Sequence, residues 1–208
     1  RRQRQMCIRD RAHTAQDAQL APFGRLTDAA QWLAACQGAA PAHEPQRIRA
    51  VIFADQEASL SAAETAARRA EAGLNVVTVT DYSQAYSLGA ATADAEIDAG
   101  ADLLIPGGEE HARVPAVVMA TITQTEPVVI VGKQRSVETW KREVTAIRDA
   151  MFRARNLEGM ELVESCQSTV LAATVGFIAR AAERRTPLLV DAPLTATAAL
   201  LAERDNPG

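Results

Sequence analysis

Five short apolar runs, each flanked by stretches that repeat apolar residues every three or four positions, constrain this chain more than any other feature. The runs lie at 50–55, 75–80, 102–105, 127–131 and 187–191. They read as strands buried on both faces. The intervening periodicity predicts helices over 61–72, 92–99 and 115–123. A longer helix carries Val137, Trp140, Val144, Ile147 and Met151 on one stripe, and another carries Leu171, Val175, Ile178 and Ala182. A closing helix is predicted over 195–203. Gly73 and Gly100 fall just past two of these helices, where a left-handed residue ends a helix well. Ahead of the first strand, the segment LTDAAQWLAAC over 26–36 puts Leu26, Ala29, Ala30, Leu33 and Cys36 on one face of a further helix. Trp32 and Trp140 are expected in the core. Strands separated mainly by helices specify an α/β fold with a mainly parallel sheet covered on both faces, three layers in a Rossmann-like arrangement.

A chain of 208 residues with 48% hydrophobic side chains has enough apolar surface for one domain. The opening RRQRQMCIRDR is basic and without an apolar face, so 1–19 is expected to be a disordered tail and 20–208 a single α/β domain. A formal charge of −4 leaves no broad basic surface for a nucleic acid. Cys7, Cys36 and Cys166 are too few and too scattered for a disulfide framework or a metal knuckle. No run approaches the length of a membrane span, and no apolar segment of a signal peptide follows the basic start. A soluble, cytoplasmic protein without a metal or cofactor is expected.

Ligands of such sheets sit outside the carboxyl ends of the strands. The segments to inspect begin at Asp55, Asp81, Pro106, Gly132 and Asp191. Glu109 and Glu110 follow the third strand and are either acid–base groups or solvated surface. His111 could titrate near neutral pH and touch a ligand, or simply be exposed. Lys133 and Arg135 could hold a phosphate or form a solvated loop. Asp55 and Asp191 end strands, where aspartate caps a following turn as readily as it binds a ligand. Ser136 is placed to cap its helix, with Thr139 at the third position.

Several blocks in order resemble one family. They are LAPFGRLTDAAQWLAACQG from Leu20, AVIFAD from Ala50, DAGADLLIPGGEE from Asp98, EPVVIVG from Glu126, AIRDAMFRAR from Ala146, and RRTPLLVDAPLTATAALLAER near the end. Their order and spacing are similar to nicotinate-nucleotide–dimethylbenzimidazole phosphoribosyltransferases, particularly the actinobacterial ones. The resemblance implies transfer of phosphoribose from nicotinate mononucleotide to 5,6-dimethylbenzimidazole, giving the α-ribazole phosphate of the cobalamin lower ligand. It also implies a homodimer with small-molecule substrates and no metal or cofactor.

By position in the family's loops, the resemblance makes Glu109 or Glu110 the acidic residue of the site. It makes Asp55, Gly107, Gly108, His111, Gly132, Lys133, Arg135, Ser136 and Asp191 candidates for contact with substrate or phosphate. Family phosphate loops are rich in glycine, because backbone N–H groups must come close to the anion. This chain has Gly132-Lys133-Gln134-Arg135-Ser136 at one of them and Gln167-Ser168 at another. The segment 58–101 is shorter than its family counterpart, and the family's C-terminal region, with the glutamate regarded as general base, is expected to lie beyond Gly208. Two readings follow: a phosphoribosyltransferase, or a catalytically inactive nucleotide-binding paralogue, partner subunit or fragment.

Overall fold

Three strands form one parallel sheet in the order β2-β1-β3, in a computed structural model that describes residues 24–56, 61–133 and 136–205. The expected tail at 1–19 and Arg135 lie outside the described residues. Strand β1 (Ile48–Ala54) is central. It pairs with β2 (Gly73–Thr78) from Arg49 opposite Gly73, and with β3 (Leu103–Glu109) from Ile48 opposite Leu103 to Ala54 opposite Glu109. Helix α1 (Arg25–Gln37) precedes β1, α2 (Ser61–Arg69) links β1 to β2, and α3 (Tyr82–Asp98) links β2 to β3. The first crossover moves outward across the sheet and the second returns past β1. With both right-handed, α2 and α3 fall on opposite faces. The remaining elements are α4 (Arg113–Thr123), α5 (Pro127–Val131), α6 (Val137–Ala154), α7 (Gly159–Ser165), α8 (Thr169–Glu183) and α9 (Pro193–Asp205).

The α/β architecture agrees with expectation, but two of the five expected strands are absent. Residues 127–131 form helix α5, opened by Pro127 at its first position, where the missing N–H is harmless. Val128 and Val129 are exposed, which a strand buried on both faces would forbid. The run 187–191 contributes only one bridge, Leu188 to Leu104, held by Leu104 N–H to the Pro187 carbonyl and Leu189 N–H to the Leu104 carbonyl. Pro187 has no N–H with which to extend the ladder.

Helix α3 begins ten residues before the expected start. Asp81 caps it by accepting from the Ser83 N–H at 2.9 Å, and Gly89, within the segment after Asp81 expected to be loop, lies in its middle. Helix α7 was not expected. In α1 the buried positions are Thr27, Gln31 and Ala34, so the expected apolar face is displaced: Leu26, Ala29 and Cys36 are exposed. Trp32 is 51% exposed and does not belong to the core, while Trp140 is half-buried.

The core is organised around α8, which is buried from Val170 to Ile178 and touches β1, β3, α3, α7 and α9. Its closest neighbour is α3. A Cβ at Gly89 would overlap the Ala173 carbonyl oxygen, and one at Gly176 would overlap that of Tyr86, so the two helices meet backbone to backbone at two points. Phe177 meets Phe53 of β1 edge to face, with ring centres 5.7 Å apart. At the amino end of the strands, Glu96 of α3 is buried and accepts from Arg49 Nε at 2.6 Å, Arg49 Nη2 at 3.1 Å and Asn75 Nδ2 at 2.8 Å.

Candidate functional site

The parallel register brings the ends of β1 and β3 side by side, since Ala54 faces Glu109. Asp55 and Glu110 follow these residues directly. The N-terminus of α8 stands over the same edge. Ser168 caps it by accepting from the Leu171 N–H at 2.9 Å, and its hydroxyl donates to Glu110 Oε2. Glu110 Oε1 accepts from the His111 N–H at 2.8 Å. Glu110 is therefore held at both oxygens, while Glu109 is exposed. His111 Nδ1 accepts from the Arg113 N–H at 3.2 Å, which puts the proton of a neutral ring on Nε2.

A cleft of about 520 Å³ opens beside His111, within the size range of small-molecule sites. Its walls are mainly apolar: Pro115, Ala116 and Met119 from α4, Ile130 and Val131 from α5, Ile147 from α6, and Pro193 from α9. Thr139, Glu143 and Thr197 supply polar atoms. Arg113 and Glu143, both lining the cleft, form a two-pronged pair, Nε to Oε2 at 3.1 Å and Nη2 to Oε1 at 2.9 Å. Arg142 Nε lies 3.7 Å from the same carboxylate. The hydrogen bonds and charge of Arg113 hold the Glu143 carboxyl below the ordinary glutamate range. In the adjoining recess, burial pushes the half-buried Cys166 thiol up, so it is not a ready thiolate.

Of the residues singled out in the sequence, Glu109, Glu110, His111 and Asp55 gather at the carboxyl edge. Gly107 and Gly108 do not form a loop there. They are strand residues, paired with Ile52 and Phe53. A Cβ on Gly108 would come within 2.6 Å of Val170 Cγ1 and 2.7 Å of Leu194 Cδ2, so this glycine lets α8 and α9 close over β3. Gly132 follows α5 with φ 59° and ψ −152°, a conformation open essentially to glycine alone. Lys133 beside it is exposed. Ser136 caps α6 through the Thr139 N–H at 3.1 Å. Asp191 is exposed and makes no side-chain hydrogen bond among the described residues; Thr195, bonded to the Ala192 N–H and carbonyl, braces the start of α9. The sequence reading missed Arg113 and Glu143. A partial signal was available: Thr139, Glu143 and Ile147 recur every four residues on one face of α6.

Among the described residues no cluster of three or more His, Cys, Asp or Glu could hold a metal ion, and no helix is long and apolar enough to cross a membrane. The crystal structure of CobT from Thermus thermophilus matches with a TM-score of 0.77, covering 99% of this chain and 78% of that one at 19% identity, a likeness of fold. The nicotinate-nucleotide–dimethylbenzimidazole phosphoribosyltransferase of Mycobacterium avium is 35% identical over 246 positions, 89% of this chain and 70% of its own. Those positions outnumber the residues of this chain, so the relative carries segments without counterpart here. The enzyme of that name from Corynebacterium glutamicum is 44% identical over 140 residues, 64% of this chain and 39% of its own. Residues 64–208 match the family DBI_PRT, described as Phosphoribosyltransferase. The chain belongs to the nicotinate-nucleotide–dimethylbenzimidazole phosphoribosyltransferase family.

Proposed function

We propose that this protein transfers phosphoribose from nicotinate mononucleotide to 5,6-dimethylbenzimidazole. The observation that carries the proposal is the mainly apolar cleft at the carboxyl edge of the sheet, whose volume of about 520 Å³ is ample for a flat heteroaromatic ring and whose lining includes polar groups. In the reaction the bond between the sugar carbon and the pyridine nitrogen breaks, and nicotinate leaves with the electron pair. A benzimidazole nitrogen bonds to that carbon, and the proton of its second nitrogen passes to a base.

Pro115, Met119, Ile130 and Ile147 exclude water around the ring. Of the two glutamates at the end of β3, Glu110 is committed to Ser168 and His111, which leaves Glu109, the last residue of the strand, as the proton acceptor of this reading. Lys133 and the backbone around Gly132 are assigned to the phosphate. The test is to incubate the protein with both substrates and quantify nicotinate and ribazole phosphate by chromatography. Equal amounts of the two are expected, and their absence overturns the proposal.

One observation favours the second reading, an inactive nucleotide-binding relative. Glu110 lies against the cap of α8, placing negative charge where an incoming phosphate would meet a helix N-terminus. Calorimetry with nicotinate mononucleotide separates the two readings: heat of binding without turnover supports the inactive relative. A homodimer in solution is part of the proposal, checked by light scattering.

A further inference from the structure

Arg113 lies on the wall of the apolar cleft while only partly consumed by its partner. Its guanidinium has five N–H donors, and Glu143 takes two of them. The remaining donors belong to a side chain that is 40% exposed. Glu143 is shared with Arg142, whose Nε lies 3.7 Å away, so its carboxylate is divided between two guanidiniums. The two-pronged pairing also holds the Arg113 plane in place, so a ligand would meet a fixed fork rather than a freely rotating cation. The apolar side chains of Met119, Ile130 and Ile147 line the same cleft.

We propose that Arg113 is the specificity-determining residue of the cleft, selecting a flat heteroaromatic ring that carries a carboxylate over the same ring without one. This rests on the reading of the cleft as a ring-binding site and deepens it, by assigning the cleft to the departing pyridine carboxylate rather than the neutral benzimidazole. The carboxylate accepts the free guanidinium donors while the ring covers the apolar wall, and each contact fixes the direction of the other. Glu143 is a positioning residue that acts through Arg113.

Calorimetric titration of the full chain with nicotinate, nicotinamide and benzimidazole tests the assignment. Nicotinate is expected to bind about tenfold tighter than nicotinamide, in line with one charge-assisted contact at a half-exposed group. Arg113→Met should erase that preference and leave nicotinamide affinity within about twofold. Because this variant strands Glu143, the double variant Arg113→Met/Glu143→Met, which removes both halves of the pair, is measured beside it and should behave the same. Glu143→Gln, which loosens the fork but keeps its charge, should retain part of the preference. Equal affinity for nicotinate and nicotinamide in the unaltered protein overturns the assignment, as does a preference that survives both methionine variants. Inorganic phosphate that binds the unaltered protein more tightly than nicotinate does, and loses that binding in both methionine variants, would also overturn it, by making the anion a phosphate. Binding of benzimidazole without discrimination refutes only the role of Arg113. Failure of all three rings to bind refutes the reading of the cleft as well.

Discussion

Glu96 shows what one residue decides. Burial pushes its carboxyl up, but the hydrogen bonds from Arg49 and Asn75 and the charge of Arg49 outweigh burial and hold it below the ordinary value of 4.5. The carboxylate is thus stabilised in the folded state. That contribution is fully present above about pH 4.5 and is lost as the pH falls through the lower folded value. Glu96→Gln is expected to lose about 2 kcal/mol at neutral pH, less than a fully buried pair because Arg49 is 27% exposed. Urea melts at pH 7 and pH 3 check this: the gap between the proteins should close at the acid end. Nothing in the sequence announces this triad, since its members at 49, 75 and 96 meet only after β1, β2 and α3 are assembled. Arg113 and Glu143, thirty residues apart on two helices, were hidden for the same reason. The position of Glu109, Glu110 and His111 at the carboxyl edge was legible, because they stand at the end of an apolar strand.

At the scale of elements, helix pairing rests on what side chains leave out. Gly89→Ala and Gly176→Ala each add a methyl group to a site already filled by a facing carbonyl oxygen. Alanine is the better helix former by about 1 kcal/mol. Even so, separating α3 from α8 should cost more, and a net loss of about 2–3 kcal/mol is expected in thermal or urea unfolding. Unchanged stability would mean that the helices slide apart without penalty. These glycines also explain what was misread: a glycine inside 82–91 looks like loop chemistry when its partner helix is eighty residues away. The three paired strands were legible as apolar runs of the right length. The run at 127–131 was not, because four apolar residues after a proline suit a strand or one helical turn equally, and only the exposure of Val128 and Val129 decides between them.

For the whole molecule, stability should be graded outward from α8. Amides of α8 and of central strand β1 are expected to exchange with deuterium most slowly. Those of α5, which has no fully buried residue, should exchange far faster. Mass spectrometry of peptic fragments would show the order, and α5 protected as well as α8 would contradict it. The cleft thus has one firm wall and one yielding wall, since Ile130 and Val131 belong to α5. Helix α8 links the firm side to the edge of the sheet in a mechanical sense. It is clamped to α3 at Gly176, while Ser168, eight residues and about 12 Å up the axis, grips Glu110. A rod fixed at its middle and tied at its tip acts as a lever, so a methyl group added at Gly176 should be felt at Glu110 as a displaced carboxylate. The loop after β3 therefore owes its geometry to two glycines that never touch it.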